Sequence, residues 1–332
     1  MTDKVRALLA QLEIPVIVSP MFLVSCPALV LASCAEGIVG SFPSHSTRSR
    51  DVFREWLDEI ETGLALLRQA EPDANIAPYA VNLVTHGTNE RLKGDLELCI
   101  RYKVPVVLTS KGAPTDAVRR IHDYGGIVLH DVASRRHAEK AIEGGVDGII
   151  VVAQGAGGHT GTINPFALMN EIRAFYDGPI ALAGCLSTGR DILAAQAMGA
   201  DGAYIGTRFI ATEESLAPEA HKAMILSEGA NGVLQTAALD GAPASFLTRS
   251  LIEAGIDLNE LLTTLPGKVI ATSDGAKRWR HLWSAGQGVG MARELMSARA
   301  LVRQMKTEYR EARRSFAAAL SEDQARLNAT AA

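Results

Sequence analysis

Aromatic residues make up only 5% of the 332-residue chain, and cysteine occurs four times, at Cys26, Cys34, Cys99 and Cys185. The cysteines form no CxxC pair and no metal-ligand spacing, which argues against a zinc ribbon or a disulfide framework and points to reduced, cytosolic thiols. Charge of one sign is also missing. With 33 Lys and Arg against 37 Asp and Glu, the net charge is −4, without the clustered basic face of a nucleic-acid binder. No GxGxxG fingerprint follows the first strand with an acidic residue about twenty positions on, and there is no P-loop, HExxH or GxSxG. The stretch Met1–Gln11 is charged through Asp3, Lys4 and Arg6 and lacks the unbroken apolar region of a signal peptide. Ile14–Ala35 carries no charge, but Pro15, Pro20, Pro27 and three serines break it. It reads as a buried strand, a loop and the start of a helix rather than a membrane span. The expectation is a cytoplasmic protein that engages neither membrane nor nucleic acid.

What the chain does have is 47% hydrophobic residues, enough for a large core without staples. Short β-branched runs alternate with helix-length segments. The strand candidates are Val16–Ser19, Ile38–Gly40, Tyr79–Leu83, Val106–Thr109, Ile127–Asp131, Gly148–Val152, Ile180–Ala183 and Gly202–Ile205. Most are continuous apolar runs, as expected of parallel strands buried on both faces. Between them lie helical patterns at Asp51–Gln69, Asn89–Tyr102, Thr115–Tyr124, Arg135–Glu143, Pro165–Phe175 and Gly189–Met198. Eight strands with helical crossovers outline an α/β fold, a TIM (β/α)8 barrel, with a doubly wound open sheet as the alternative. A weak repeat supports the fold: Ala141–Val151 and Ala195–Ile205 share a helix end, a glycine, Asp-Gly and a strand. Past Phe209 the alternation stops. We expect a barrel over 1–210, a smaller mainly helical domain over 211–280, and a segment 281–332 whose helices return to the barrel.

In such a barrel the chemistry sits in the loops at the C-terminal ends of the strands. Three loops stand out. After the sixth strand comes Gln154-Gly-Ala-Gly-Gly-His-Thr-Gly161, whose glycines allow close backbone approach to a flat ligand. It carries one histidine, His159, a candidate general base; a solvent-facing histidine in a turn that merely needs glycine is the alternative. After the seventh strand, Ala183-Gly-Cys-Leu-Ser-Thr-Gly189 opens a helix. Ser187, Thr188 and the amides near Gly189 form a helix N-terminus suited to an anion, or an ordinary N-cap. After the eighth strand, Gly206 and Thr207 offer further amides, and loops seven and eight are where many TIM barrels hold a phosphate. Cys185 has no partner visible in sequence and reads as a small buried residue. His45 and Arg48, after the second strand, would also face the catalytic end, or simply lie in a loop that caps the next helix.

The motifs Gly155–Gly161 (GAGGHTG), Ala183–Asp191 (AGCLSTGRD) and Gly199–Phe209 (GADGAYIGTRF) resemble those of the nitronate monooxygenases, also called nitropropane dioxygenases. The likeness runs from Pro15 to about Gly290 and ends in Trp283-Ser-Ala-Gly-Gln-Gly-Val-Gly290. It implies an FMN-binding TIM barrel. By position, His159 matches the histidine that deprotonates the substrate α-carbon. Gln154, Gly157 and Gly158 match residues near the flavin ring, and Gly184, Cys185, Gly206 and Thr207 match the loops that hold the FMN phosphate. Pro20 and Met21 match the segment against the isoalloxazine, and Asn82 matches an asparagine touching the flavin. No metal is implied.

The resemblance implies oxidation of alkyl nitronates, or of nitroalkanes after loss of the α-proton, by O2 to a carbonyl compound and nitrite. The same group includes NAD(P)H-dependent flavin reductases of quinones and of enoyl thioesters, the alternative activity. Departures bear on the substrate. Gly184-Cys185 stands where many relatives have two glycines, and Ser19-Pro20-Met21 where many have Gly-Gly-Met. The loop before His159 is shorter than in several relatives, and Asp131 stands where some quinone-reducing members carry a basic residue. A flavin-free sugar-phosphate isomerase would need a second acid–base group near His159, and a non-catalytic binding protein would hold no working flavin. Met21, Phe22 and Leu23 are candidates for an apolar pocket wall. Self-association is left open.

Overall fold

The computed structural model describes residues 3–265, 267–270 and 281–330. Eight strands close a parallel barrel: β1 (Val16–Val18), β2 (Gly40–Pro43), β3 (Tyr79–Val84), β4 (Val106–Ser110), β5 (Ile127–Val132), β6 (Gly148–Val152), β8 (Ile180–Ala183) and β9 (Gly202–Ile205); β7 (Gly158–His159) lies outside it in a separate small sheet. The ladder runs β1-β9-β8-β6-β5-β4-β3-β2. Val18 N–H donates to Val39 O (2.8 Å) and Val39 N–H to Val16 O (3.1 Å), which joins the first strand to the segment entering the second. The TIM-barrel expectation holds and the open sheet does not. Six helices follow their sequence patterns within a few residues, among them Arg50–Ala70, Arg135–Glu143 and Gly189–Ala197. The second strand begins at Gly40, where an apolar run had placed its end. Its backbone passes so close to Val30 that a side chain at Gly40 would meet Val30 O at 2.5 Å.

The barrel interior is filled by alternate residues of the strands, as in other closed (β/α)8 barrels. Ile17, Val39, Ala80, Val106, Leu108, Leu129, Ile150, Ala181 and Tyr204 form one buried cluster. Its N-terminal end is plugged by the helix Asp3–Gln11, whose Val5 and Leu9 join that cluster. This explains the amphipathic pattern of the first residues. Among the described residues, no helix is long and apolar enough to cross a membrane.

After β9 the chain builds the helices Glu219–Ser227, Thr248–Glu253 and Leu258–Thr263. It also builds an antiparallel hairpin, β10 (Val233–Thr236) with β11 (Ala244–Leu247), which the apolar pattern did not announce. Residues 266 and 271–280 of the expected helical domain lie outside the described residues. A helix of 33 residues, Ala298–Thr330, then returns to the barrel. Leu301, Val302, Met305 and Tyr309 pack with Ile192 and Leu29. Glu36 pairs with Arg303 (2.7 Å) and Lys306 (3.3 Å) of that helix.

Candidate active site

A cavity of about 1040 Å³ opens at the C-terminal ends of the barrel strands, at the large end of the ~300–1,000 Å³ typical of ligand pockets. Pro20, Met21, Asn82, Gly157, His159, Gly184, Cys185, Gly206 and Thr207 all line it. The sequence-derived set is therefore largely brought together, with Phe22 and Leu23 in the wall beside Met21. Gln154 and Gly158 stand apart from that lining. Gln154 turns outward to an exposed position while its N–H donates to Ile163 O (2.8 Å). Gly158 donates its N–H to Ser284 Oγ (2.6 Å) and so braces the loop instead of facing the cavity. His45 also reaches the cavity wall.

His159 is held by a small sheet. Gly158–His159, labelled β7, pairs with β11, His159 opposite Ala244 and Gly158 opposite Ser245. Thr160 N–H donates to Pro243 O (3.0 Å), and Gln235 Nε2 to Gly161 O (2.7 Å). The hairpin thereby fixes the glycine loop and delivers Asp240 from its turn. Asp240 Oδ2 lies 2.5 Å from His159 Nε2. On the same nitrogen, 3.1 Å away, sits Lys111 Nζ from the loop after β4. Burial and the nearby ammonium push the His159 imidazole down from its ordinary range, while Asp240 pulls it the other way. His159 is half-buried and lines the cavity, and the downward shift favours its neutral form. Asp240 is the acidic partner that sequence reasoning did not find.

Lys111 has φ +55°, left-handed backbone that a side chain rarely adopts. Thr85 pins the turn from the neighbouring loop: its N–H and hydroxyl both donate to Ser110 O (2.8 and 3.1 Å), and the hydroxyl also reaches Gly112 O (3.3 Å). Strain held in this way by surrounding structure is characteristic of functional sites.

The anion site expected at the N-terminus of the helix Gly189–Ala197 is already filled by the protein. Ser187 N–H and Thr188 N–H both donate to Asp191 Oδ2 at 2.8 Å, and Gly189 N–H donates to Glu308 Oε2 at 2.8 Å. Two carboxylates satisfy those donors and place negative charge where a phosphate was expected. The backbone left facing the cavity is Gly184–Cys185 and Gly206–Thr207. Gly184 has φ +125° and Cys185 φ +60°. Cys185 is exposed rather than buried. Its thiol is pushed up by desolvation and by Asp191, so it stays a thiol and not a nucleophilic thiolate.

Glycines lock three loops together at one wall. A side chain at Gly155 would meet Cys185 Sγ at 2.2 Å, one at Gly286 would meet Gly155 O at 2.6 Å, and one at Gly288 would meet Ser187 Oγ at 2.3 Å. Thr207 Oγ1 accepts from Gly286 N–H (2.8 Å). The Trp283–Gly290 motif is thus the clasp between the loops after β6, β8 and β9. His221 stacks on Trp283 (5.2 Å between centroids) and its Nε2 contacts Ser284 O (3.2 Å). Asp131, on β5, lines the cavity, and burial raises its carboxyl to about 7. Its Oδ1 is buried with no hydrogen-bond partner among the described residues.

A sequence model of the family described as "Nitronate monooxygenase" matches residues 5–308. The chain belongs to the nitronate monooxygenase family. Members that resemble it include the nitronate monooxygenase of Paraburkholderia phytofirmans, 28% identical over 94% of this chain and 97% of that one. The crystal structure of a nitroalkane oxidase from Streptomyces ansochromogenes is 26% identical, covers 93% of this chain and 99% of that one, and superposes with a TM-score of 0.76. A 5-hydroxy-7a-methyl-1-oxo-octahydro-1H-indene-4-carboxyl-CoA dehydrogenase of Mycobacterium tuberculosis is 29% identical over 73% of this chain. This chain spans 65% of that protein's length, and half of its Rhodococcus jostii counterpart's. The names of these relatives are those of oxidoreductases, and the fold of this chain is the TIM barrel described above.

Proposed function

We propose that the protein is an FMN-dependent nitronate monooxygenase. It oxidises alkyl nitronates with O2 to a carbonyl compound and nitrite, and it acts on neutral nitroalkanes after His159 removes the α-proton. The observation that carries this reading is His159, a half-buried imidazole in the wall of the cavity that the family's motif loops enclose.

The residues present fit the cofactor. The cavity has the volume for a flat ring system together with a small substrate. Gly184 and Gly206 keep backbone at the wall: a side chain at Gly206 would meet Ser19 Cβ at 3.1 Å, and one at Gly184 would meet Gln154 O at 3.0 Å. Gly184, Cys185, Gly206 and Thr207 would hold the phosphate, and Pro20, Met21, Asn82 and Gly157 would lie along the ring. Asp131, its carboxyl raised to about 7, would in its protonated form offer a hydrogen-bond donor to a ring heteroatom. When bound, the flavin supplies one-electron redox chemistry and the route to O2.

The protein's own part is small. His159 accepts a proton at Nε2. Met21, Phe22, Leu23 and Leu216 give the cavity an apolar wall. Residues 211–280 serve as the substrate-side domain, because their hairpin bears on His159.

A second reading, an NAD(P)H-dependent flavin reductase of a quinone or an enoyl thioester, draws on the CoA-thioester dehydrogenase among the relatives. The activity is tested with His159→Asn. Turnover of a neutral nitroalkane should fall by about a hundred- to ten-thousandfold, the contribution of a positioned base, while turnover of the preformed nitronate is spared. Equal loss on both substrates would show that His159 is not the base.

A further inference from the structure

Two opposite charges meet at one ring nitrogen in this site, and each belongs to a different layer of the fold. Lys111 Nζ comes from the strained turn after β4, 3.1 Å from His159 Nε2. Asp240 Oδ2 comes from the hairpin turn, 2.5 Å from the same atom. One nitrogen cannot use both at once. As a lone pair it accepts from the ammonium; as an N–H it donates to the carboxylate.

We propose that Lys111 and Asp240 are alternating partners of His159 Nε2, Lys111 in the neutral base and Asp240 in the protonated one, and that the ammonium, drawn off Nε2 as substrate enters, holds the anionic oxygens of the substrate. The proposal rests on the proton abstraction argued above. The nitro oxygens of the incoming substrate draw the Lys111 ammonium off the lone pair. The α-carbon–hydrogen bond then breaks, the proton forms a new N–H bond at Nε2, and the electron pair moves onto the nitro group to give the nitronate. Before the step the cluster holds Lys⁺, neutral His and Asp⁻ with a neutral substrate. After it, imidazolium faces Asp240 and nitronate faces Lys111, so the net charge is unchanged and each new charge has an opposite partner. In a half-buried site that pairing decides whether charge separation is accessible.

Two further observations fit this use. Lys111 and His159 both line the cavity, so a small anion held there can reach both side chains. The left-handed turn at Lys111 is secured by Thr85 from the adjacent loop, which aims the side chain across the cavity at some conformational cost. Lys111 is therefore assigned to the substrate anion and Asp240 is a positioning residue. The substrate class that follows is a carbon acid whose conjugate base is a resonance-stabilised oxyanion.

The test uses the flavin-loaded protein with Lys111→Met, Asp240→Asn and the conservative Lys111→Arg. The His159 titration is followed by NMR, with His159→Asn assigning the resonance. Lys111→Met should raise the His159 pKa and Asp240→Asn should lower it. With unchanged flavin content, Asp240→Asn should slow the neutral nitroalkane by roughly ten- to a hundredfold, part of what a positioned base contributes, and leave the nitronate within about threefold. Lys111→Met should raise KM for the nitronate, and Lys111→Arg should restore it in part. Shifts of the same sign, no shift, or equal loss on both substrates would overturn the proposal. If the wild-type protein turns over neither substrate, the proposed activity fails and the substrate role of Lys111 with it, while opposite-signed NMR shifts would still show that Lys111 and Asp240 act on the His159 proton in opposite directions.

Discussion

Asp240 and His159 are 81 positions apart in sequence, yet Asp240 Oδ2 lies 2.5 Å from the imidazole Nε2. The contact exists because β11 pairs with the two-residue strand Gly158–His159, which ties the hairpin that follows the barrel to the glycine loop after its sixth strand. The hairpin and the histidine loop are thereby one mechanical unit.

The pH dependence follows from the direction in which His159 is shifted. Its pKa lies below the ordinary 6.5, through burial first and the Lys111 charge second. The neutral, proton-accepting form is therefore populated above that point. For a neutral nitroalkane, kcat/KM should rise with pH through a midpoint below 6.5 and then level, while the profile on preformed nitronate lacks that limb. A limb centred above neutrality would assign the base elsewhere.

Gly286→Ala tests the clasp. The added methyl carbon would sit 2.6 Å from Gly155 O and 2.9 Å from Gly157 N, both backbone atoms. The loops must spread, at a cost of about 1–3 kcal/mol typical of overpacking. Thermal melting should shift down by several degrees and the purified protein should retain less flavin. Unchanged flavin content would mean that this wall does not shape the cofactor site.

Asp131→Asn tests the buried acid. Folding holds the Asp131 proton more tightly, raising the carboxyl from 3.8 to about 7. Its contribution to stability is present at low pH and is lost as pH rises through that window. Asparagine has no proton to lose. The melting temperature of the flavin-free variant should exceed that of the flavin-free parent by an amount that grows from pH 4 to 7 and then stays constant. A difference independent of pH would show that Asp131 is ionised in the fold.

The barrel was legible because most of its strands are continuous apolar runs separated by helix-length segments; Gly148–Val152, Ile180–Ala183 and Gly202–Ile205 match their sequence bounds. Local pattern carries that information. The hairpin was not legible, since Val233–Thr236 and Ala244–Leu247 are short and joined by seven residues without a tight-turn signature. Nothing local to Asp240 announces its partner, and Lys111 likewise reaches His159 only across the barrel mouth. The helix N-terminus at Gly189 is different. Thr188-Gly-Arg-Asp191 has capping-box spacing with aspartate as the acid, and the structure forms that box. The motif could have been read as a self-capped helix from the sequence, but Glu308, on the returning helix, could not.

The most direct test is an anaerobic absorbance titration of the purified protein, once with an alkyl nitronate and once with NADPH or NADH. A yellow protein whose flavin spectrum responds to the nitronate and scarcely to the nicotinamide is the expected result. Bleaching by NAD(P)H with no response to nitronate would make the protein a reductase, and a colourless protein that takes up no FMN would contradict both activities.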